Sequence, residues 1–335
     1  MNQSNDILIF NLPKAKPEEI KIEKDEFLYV ILPFYNYAKT NRRTQLFLKF
    51  LERYKNLPTI RIIIVEATID EGFQLPNNLI DDSVYMHLKY KLESPIWCKE
   101  NLINLAVSKL YKMSPYWQYV AWIDADVTFL NQNWVQDTIK KLKKYDFLQL
   151  FKNVFYLNQR NETIHAWKSF AYGYSLNREK FFKTRLKGRD DIYKEGLTWS
   201  CTRWAFEKIE GLLDINIVGG GDNFFRNLFL NTLESWKMSY RIYNMSENYF
   251  NLLSQKQKIF QKNNFTLGYL NDDITHSWHG DRKNRKYVER FAILNGFDPQ
   301  LDLIRNSDGI LNLSERGKRM KNEIMQYFIE RKEDF

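Results

Sequence analysis

Short, nearly continuous apolar runs alternate with longer amphipathic stretches through the first 130 residues, a rhythm that predicts strands and helices in turn. "FLYVIL" reads as a buried strand stopped by "PFYN". "TNRRTQLFLKFLERYKN" places Leu46, Phe47, Phe50 and Leu51 at helical spacing, with Thr40 or Asn41 available as a cap. "TIRIIIVEAT" follows as a second strand. Strand, helix and strand in that order predict two parallel strands joined by a right-handed crossover. "SVYMHLKY" is a third strand. "IWCKENLINLAVSKLYKM" is a helix with Ile96, Leu102, Leu105, Ala106, Val107 and Leu110 on its apolar face, and "YVAWID" is the next strand.

The second half is less regular. "VQDTIKKLKKYDFLQLF" predicts a helix running into a strand, and the polar, aromatic-rich stretch to about Asp191 has no clear period. "SCTRWAFEKIEGLLD" reads as helical. "INIVGGGDNFFRNLFL" breaks at three glycines before a new helix begins. The expected fold class is therefore α/β, with a mixed, mostly parallel sheet flanked by helices.

Composition narrows the class. Hydrophobic residues make up 44% and aromatics 16%, with 13 Gly and 8 Pro, so burial can offset the entropy of ordering, which excludes a disordered or fibrous chain. The net charge of +9 suits an anionic partner such as a nucleotide, a nucleic acid or an anionic membrane surface, without choosing among them. Cys98 and Cys201 are too few for a disulfide framework or a four-thiolate zinc site, and reduced thiols are expected. The first residues lack a basic segment followed by a sustained apolar one. The longest apolar run, "FLYVILPFYNY", falls short of the roughly 18 residues of a membrane span. Neither a signal peptide nor a transmembrane anchor is expected, and the expected location is cytosolic or cytosol-facing.

Candidate chemistry begins at "YVAWIDADVTFL", where a strand ends in Asp124 and Asp126. Two like charges so close call for a cation between or beside them. In an open parallel sheet, ligands bind beyond the carboxyl ends of the strands, so Asn36, Glu66, Asp124 and Asp126 are expected on one rim. Asn36 also suits a turn, and Glu66 a solvated loop. Two of the four histidines, His276 and His279, lie three residues apart. Imidazole with carboxylate is a normal ligand set for Mn²⁺ or another divalent cation. The run Arg282, Lys283, Arg285, Lys286 either neutralises phosphate or forms a solvated helix face. Asp222 stands at a helix entrance and serves equally as an N-cap, but three consecutive glycines exceed what capping needs. His87 and His165 have no neighbouring candidate ligands and read as structural.

Taken in order, "ILPFYN", "WCKENLINLA", "WIDADVTF", "GGGDN" and "HSWHG" resemble nucleotide-sugar glycosyltransferases of the GT-A fold, a Rossmann-like architecture. The opening is similar to family 2 enzymes, the later half to the β-1,4-galactosyltransferase family. The resemblance covers about residues 27 to 290. It implies a GT-A domain over 27–290, with a donor half (27–130) and an acceptor half (131–290), preceded by a lead segment (1–26) and followed by a helical extension (291–335). It also implies a nucleotide-sugar donor, UDP-linked, and a glycan or other hydroxyl acceptor. Asp126, His276, His279 and Asp124 would form the metal site. Phe34, Asn36, Glu66, Lys99, Asn101, Asp124 and Arg282 would surround the donor, and Trp199, Gly220, Gly221, Asp222 and Asn223 the acceptor. Asp222 would be the general base of an inverting transfer. The galactosyltransferase loop carries Trp-Gly and more acids than "VGGGDN", and that family has a thioether where His276 stands, so galactose specificity does not carry over.

Two other readings use the same ingredients. A metal-dependent nucleotidyltransferase or phosphohydrolase would want more carboxylates or a Gly-rich phosphate loop after the first strand, which "PFYNYAKTNRRT" does not supply. A basic nucleic-acid-binding protein would account for the charge and aromatics, but no nucleic-acid motif is present and the strand ends carry acids, so no nucleic-acid partner is expected.

Overall fold

The protein is described from a computed structural model that covers residues 25–80, 84–176, 193–234, 237 and 243–334. Both faces of the first strand are covered. In β1 (Asp25–Tyr35), Leu28, Val30 and Leu32 share a buried cluster with Phe47, Phe50 and Leu51 of α1 (Asn41–Tyr54). Tyr29, Ile31 and Tyr35 share another with Leu102, Ala106 and Leu110 of α2 (Lys99–Met113). Alternate residues thus serve opposite layers, and a strand apolar at nearly every position belongs inside a helix-flanked sheet.

β2 (Ile60–Thr68), β3 (Val84–Lys91) and β4 (Trp117–Ile123) extend this sheet. After β5 (Val127–Phe129) and α3 (Trp134–Leu142) come β6 (Phe147–Gln149), β7 (Asn153–Leu157), β8 (Thr163–Ser169) and β9 (Tyr193–Lys194). β10 (Thr198–Thr202), β11 (Leu267–Tyr269) and β12 (Asp273–His276) complete the two sheets that build the cleft. The seven-stranded sheet has the order β11-β6-β10-β4-β1-β2-β3. Only β10 runs against its neighbours. The fold is therefore α/β and mostly parallel, as the alternating pattern predicts, and the run β3-β2-β1-β4 is the order of a Rossmann half.

Three local outcomes differ from the sequence reading. The first strand continues through Pro33 and Phe34 to Tyr35. Pairing with β4 ends at Ile31, whereas pairing with β2 continues to Tyr35, so Pro33 lies where β1 has lost one neighbour. "SCT" is not helical: Ser200, Cys201 and Thr202 belong to β10, and the helix is Arg203–Lys208. The stretch without clear period contains β7 and β8, part of a second sheet ordered β5-β12-β7-β8-β9. Residues 1–24, most of the expected lead segment, lie outside the described residues, as do 177–192.

Beyond residue 290 the helix Lys321–Glu330 returns to the sheet. Its Phe328 meets Tyr37 edge-on at 5.0 Å and lies beside Tyr35 and Trp97. Cys98 and Cys201 are both free and buried.

Candidate functional site

A cleft of about 920 Å³ opens beyond the carboxyl ends of β1 and β4. Strand pairing brings two distant motifs to it. β4 stops at Ile123, and Val127 N–H donates to the Asp124 carbonyl at 3.1 Å, closing the Asp-Ala-Asp turn. β5 then pairs antiparallel with β12, which sets Val127 opposite His276, and Ser277 N–H donates to the Asp126 carbonyl at 2.8 Å. The histidine motif is thereby hydrogen-bonded to the carboxylate turn.

Asp126 Oδ2 is 2.8 Å from His279 Nε2, and Oδ1 is 3.7 Å from His276 Nε2. The two Nε2 atoms are 3.4 Å apart. One ligating atom from each residue lies within 4.8 Å of the others. Burial pushes His276 down to about 4, partly opposed by Asp126, so its imidazole is neutral with a lone pair to give. Burial would raise the Asp126 carboxyl, but the two histidines and Arg285 outweigh it and hold that carboxyl well below the usual range. Asp126 Oδ1 is buried without a hydrogen-bond partner among the described residues. An orphaned anionic oxygen facing a neutral imidazole fits a cation.

The opposite wall carries its own cation. Lys99, the first residue of α2, places Nζ 2.8 Å from Asp124 Oδ1 and 3.4 Å from Asp222 Oδ2. Burial works against the ammonium, yet Asp124, Asp222 and Glu100 outweigh it and raise its pKa. Asp222 is the second residue of the helix Gly221–Leu230, and its side chain keeps 28% exposure. Its carboxyl is pushed up to about 6 by burial, with Lys99 opposing and Asp124 and Glu195 adding. Asn223 accepts from Arg226 at 3.0 Å and from Asn227 at 2.8 Å. A carboxylate on the cleft wall with a pKa near neutrality is suited to taking a proton.

The three glycines are explained by what they touch. A Cβ on Gly219 (φ +89°) would meet Arg290 and Trp97 at 3.1 Å, and one on Gly220 (φ +101°) would meet the Phe291 ring at 2.9 Å. At Gly221 it would fall 2.0 Å from Glu100 Oε1. The loop carrying Asp222 thus presses its backbone against four side chains, which residues with a Cβ would prevent.

The remaining expected residues divide. Phe34, Arg282, Gly220 and Asn223 line the cleft with the two ionic groups. Asn36 is buried and bonded to Thr40 and Gln74, holding the turn before α1. Glu66 accepts from Gln74 and Leu75 N–H and meets His87 Nε2 at 3.0 Å, with both side chains 1% exposed. Asn101 spends its amide on Asp214, Gly309 and Leu311. Trp199 is packed against Phe225 and Phe229, and its indole donates to the Glu195 carbonyl at 2.7 Å. These four do not line the cleft, and neither does Gly221.

Several cleft residues carry no sequence signal of their own, or stand elsewhere than their signal suggested. Glu195 pairs with Arg226 at 3.5 Å beside Asp222. Tyr156 stacks on His276 at 4.4 Å. His165, read as structural, borders the cleft and stacks on Trp167. Arg285, part of the basic run, lies over His279 and donates to its carbonyl at 2.9 Å.

Among the described residues, no helix is long and apolar enough to cross a membrane. No family model and no curated protein matches the sequence. Among solved structures, S. aureus TarS 1-349 overlaps 90% of this chain and 70% of its own at 13% identity and a TM-score of 0.40. TarS 1-349 in complex with UDP-GlcNAc overlaps 41% and 36% at 17% identity and a TM-score of 0.28. The 4-diphosphocytidyl-2C-methyl-D-erythritolsynthase from Anaerococcus prevotii overlaps 90% and 99% at 11% identity and a TM-score of 0.35. Overlaps this loose assign no activity, which is read instead from the cleft itself.

Proposed function

We propose that this protein is a metal-dependent glycosyltransferase that moves a sugar from a nucleotide diphosphate sugar, UDP-linked, to an acceptor hydroxyl with inversion. One observation carries the reading. A single cleft at the carboxyl ends of parallel strands holds an Asp-His-His group whose ligating atoms lie within 4.8 Å of one another and, across from it, a reachable carboxylate with a pKa pushed up to about 6.

Asp126, His276 and His279 would hold the cation, Mn²⁺ in this reading, and the orphaned Asp126 Oδ1 supports that fit. When bound, such an ion supplies Lewis-acid stabilisation of the charge on a departing diphosphate. Arg282 and Arg285 border the same wall and neutralise phosphate charge. Asp124, with Oδ1 engaged by Lys99, keeps its other oxygen for a ribose hydroxyl. Phe34 borders the donor side, while Asn36, Glu66 and Asn101 hold the walls from behind. Asp222 takes the proton of the acceptor hydroxyl as the new bond forms, and Lys99 steadies its charge before transfer. Gly220, Gly221 and Asn223 position that carboxylate, and Trp199 supports the layer beneath it.

Calorimetric titration of UDP, GDP and ADP, with Mn²⁺ and then with chelator, tests the reading. Metal-dependent, base-selective binding is expected. No binding of any nucleotide under either condition would overturn it.

A further inference from the structure

Residues 331–334 turn back from the helix Lys321–Glu330 and lie against the rear of the histidine pair. The approach is backbone to backbone. A Cβ on Gly280 (φ +88°) would fall 2.7 Å from the Arg331 carbonyl oxygen and 2.8 Å from that of Lys332. Lys332 itself takes a left-handed conformation (φ +48°), which reverses the chain. The next two residues then act in opposite directions.

Asp334 reaches α1. Its carboxylate accepts from Arg42 N–H at 2.7 Å and Asn41 N–H at 3.0 Å, two of the free donors at the start of that helix. Of the two residues expected to cap there, Thr40 makes no side-chain cap bond and Asn41 is the first residue of the helix. Arg42 Nε also donates to the Trp278 carbonyl at 3.0 Å, so α1 ties both the strap and the histidine loop.

Glu333 reaches inward. Its side chain is 5% exposed, and Oε1 lies 3.5 Å from His279 Nδ1, the nitrogen on the far side from Asp126. Arg43 and Arg331 pair with the same carboxylate at 3.1 and 2.6 Å, and Arg285 stands 3.8 Å away. An imidazole that gives one nitrogen to a metal commonly donates the other N–H to a carboxylate, which fixes tautomer and ring orientation. Arg285 Nη2 stands over the ring, 2.8 Å from Nδ1 and 3.0 Å from Nε2, and finds its acceptor in the His279 carbonyl at 2.9 Å.

We propose that Glu333 is a positioning residue for the metal centre: it holds His279 by Nδ1–H so that the Nε2 lone pair faces the cation, and Asp334 anchors this strap to α1. The inference rests on the metal reading above. Two consequences separate the acids. Glu333→Gln and Glu333→Asp weaken Mn²⁺ binding by about 10- to 100-fold, measured by electron paramagnetic resonance of free Mn²⁺ without nucleotide. Asp334→Asn lowers the melting temperature in chelator and leaves Mn²⁺ affinity within about twofold, because it removes a helix cap and no ligand partner.

Nitrogen NMR of the protein loaded with diamagnetic Zn²⁺ adds a readout that packing alone would not move: the His279 Nδ1–H signal is shifted downfield by its carboxylate acceptor in the parent and moves upfield in Glu333→Asp. If Glu333→Gln fails to fold beside three arginines, Glu333→Asp, which keeps the charge and withdraws the carboxylate, decides. Parent-like Mn²⁺ affinity in a folded Glu333 variant would overturn the inference alone. A parent that binds no Mn²⁺ would overturn it together with the metal reading.

Discussion

On one wall of the cleft Lys99 sits between Asp124 and Asp222, and the carboxylates have a cation that the chain supplies. On the other, Asp126 faces two imidazoles, one of them held neutral by burial, and one of its oxygens has no hydrogen-bond donor among the described residues. Both walls gather negative charge at strand and helix ends, but only the first has its carboxylates bridged directly by a lysine, whereas on the second Arg285 stands over His279 and leaves Asp126 Oδ1 without a hydrogen bond. The difference teaches how function is divided: where a lysine is fixed in place, the carboxylates can be tuned for proton transfer, and where the balance is left open, a diffusible cation can enter.

The comparison can be broken most forcefully at Asp222. Asp222→Asn is expected to lower transfer by about 10²- to 10⁴-fold while donor binding is retained, and steady-state rates beside nucleotide titrations check this. Survival of most of the activity would reduce Asp222 to a helix-start residue. On the other wall, Asp126→Ala removes a ligand directly and should weaken Mn²⁺-dependent nucleotide binding by more than about 100-fold, the upper range for losing an outer partner. Unchanged binding would take Asp126 out of the metal site.

A pH profile sharpens the contrast. Because the base works only when ionised, kcat/KM should fall as pH drops through about 6, the value to which burial pushes Asp222. Since Lys99 opposes that rise, Lys99→Met should move the acid limb to higher pH; a limb that stays in place would separate Lys99 from the base. Glu66→Ala, behind the walls, should cost about 1–3 kcal/mol in denaturant unfolding because it strands two backbone N–H groups and His87. The smallest effect is expected at the rim, where Arg282→Ala weakens nucleotide binding only about threefold, as for a partly exposed charge.

The parallel half was legible because its strands are continuous apolar runs bounded by turn residues, and its helices show a clear face. Strand ends then located Asp124 and Asp126. The same logic put Asn36 and Glu66 on the rim, but strand position does not reveal that Gln74, Leu75 and His87 would consume their hydrogen-bonding capacity. "TWSCT" was obscured because it runs directly into a helix, and its strand character comes from pairing with β4 and β6 on either side. Tertiary pairing overrides local propensity at such short segments. Glu333 left no local trace, since its meaning depends wholly on a fold that returns it to His279.

The pairing of β5 with β12 also sets an order of events during folding. β1 to β4 and their helices can form from contacts made close along the chain, whereas the strand bearing His276 must wait until the helix Glu247–Asn263 and β11 have been laid down. Long-range closure of this kind is slow relative to local structure. A nascent chain emerging from synthesis would hence possess the carboxylate turn well before the histidines arrive, and on the proposed reading a cation could be held only once the two have met.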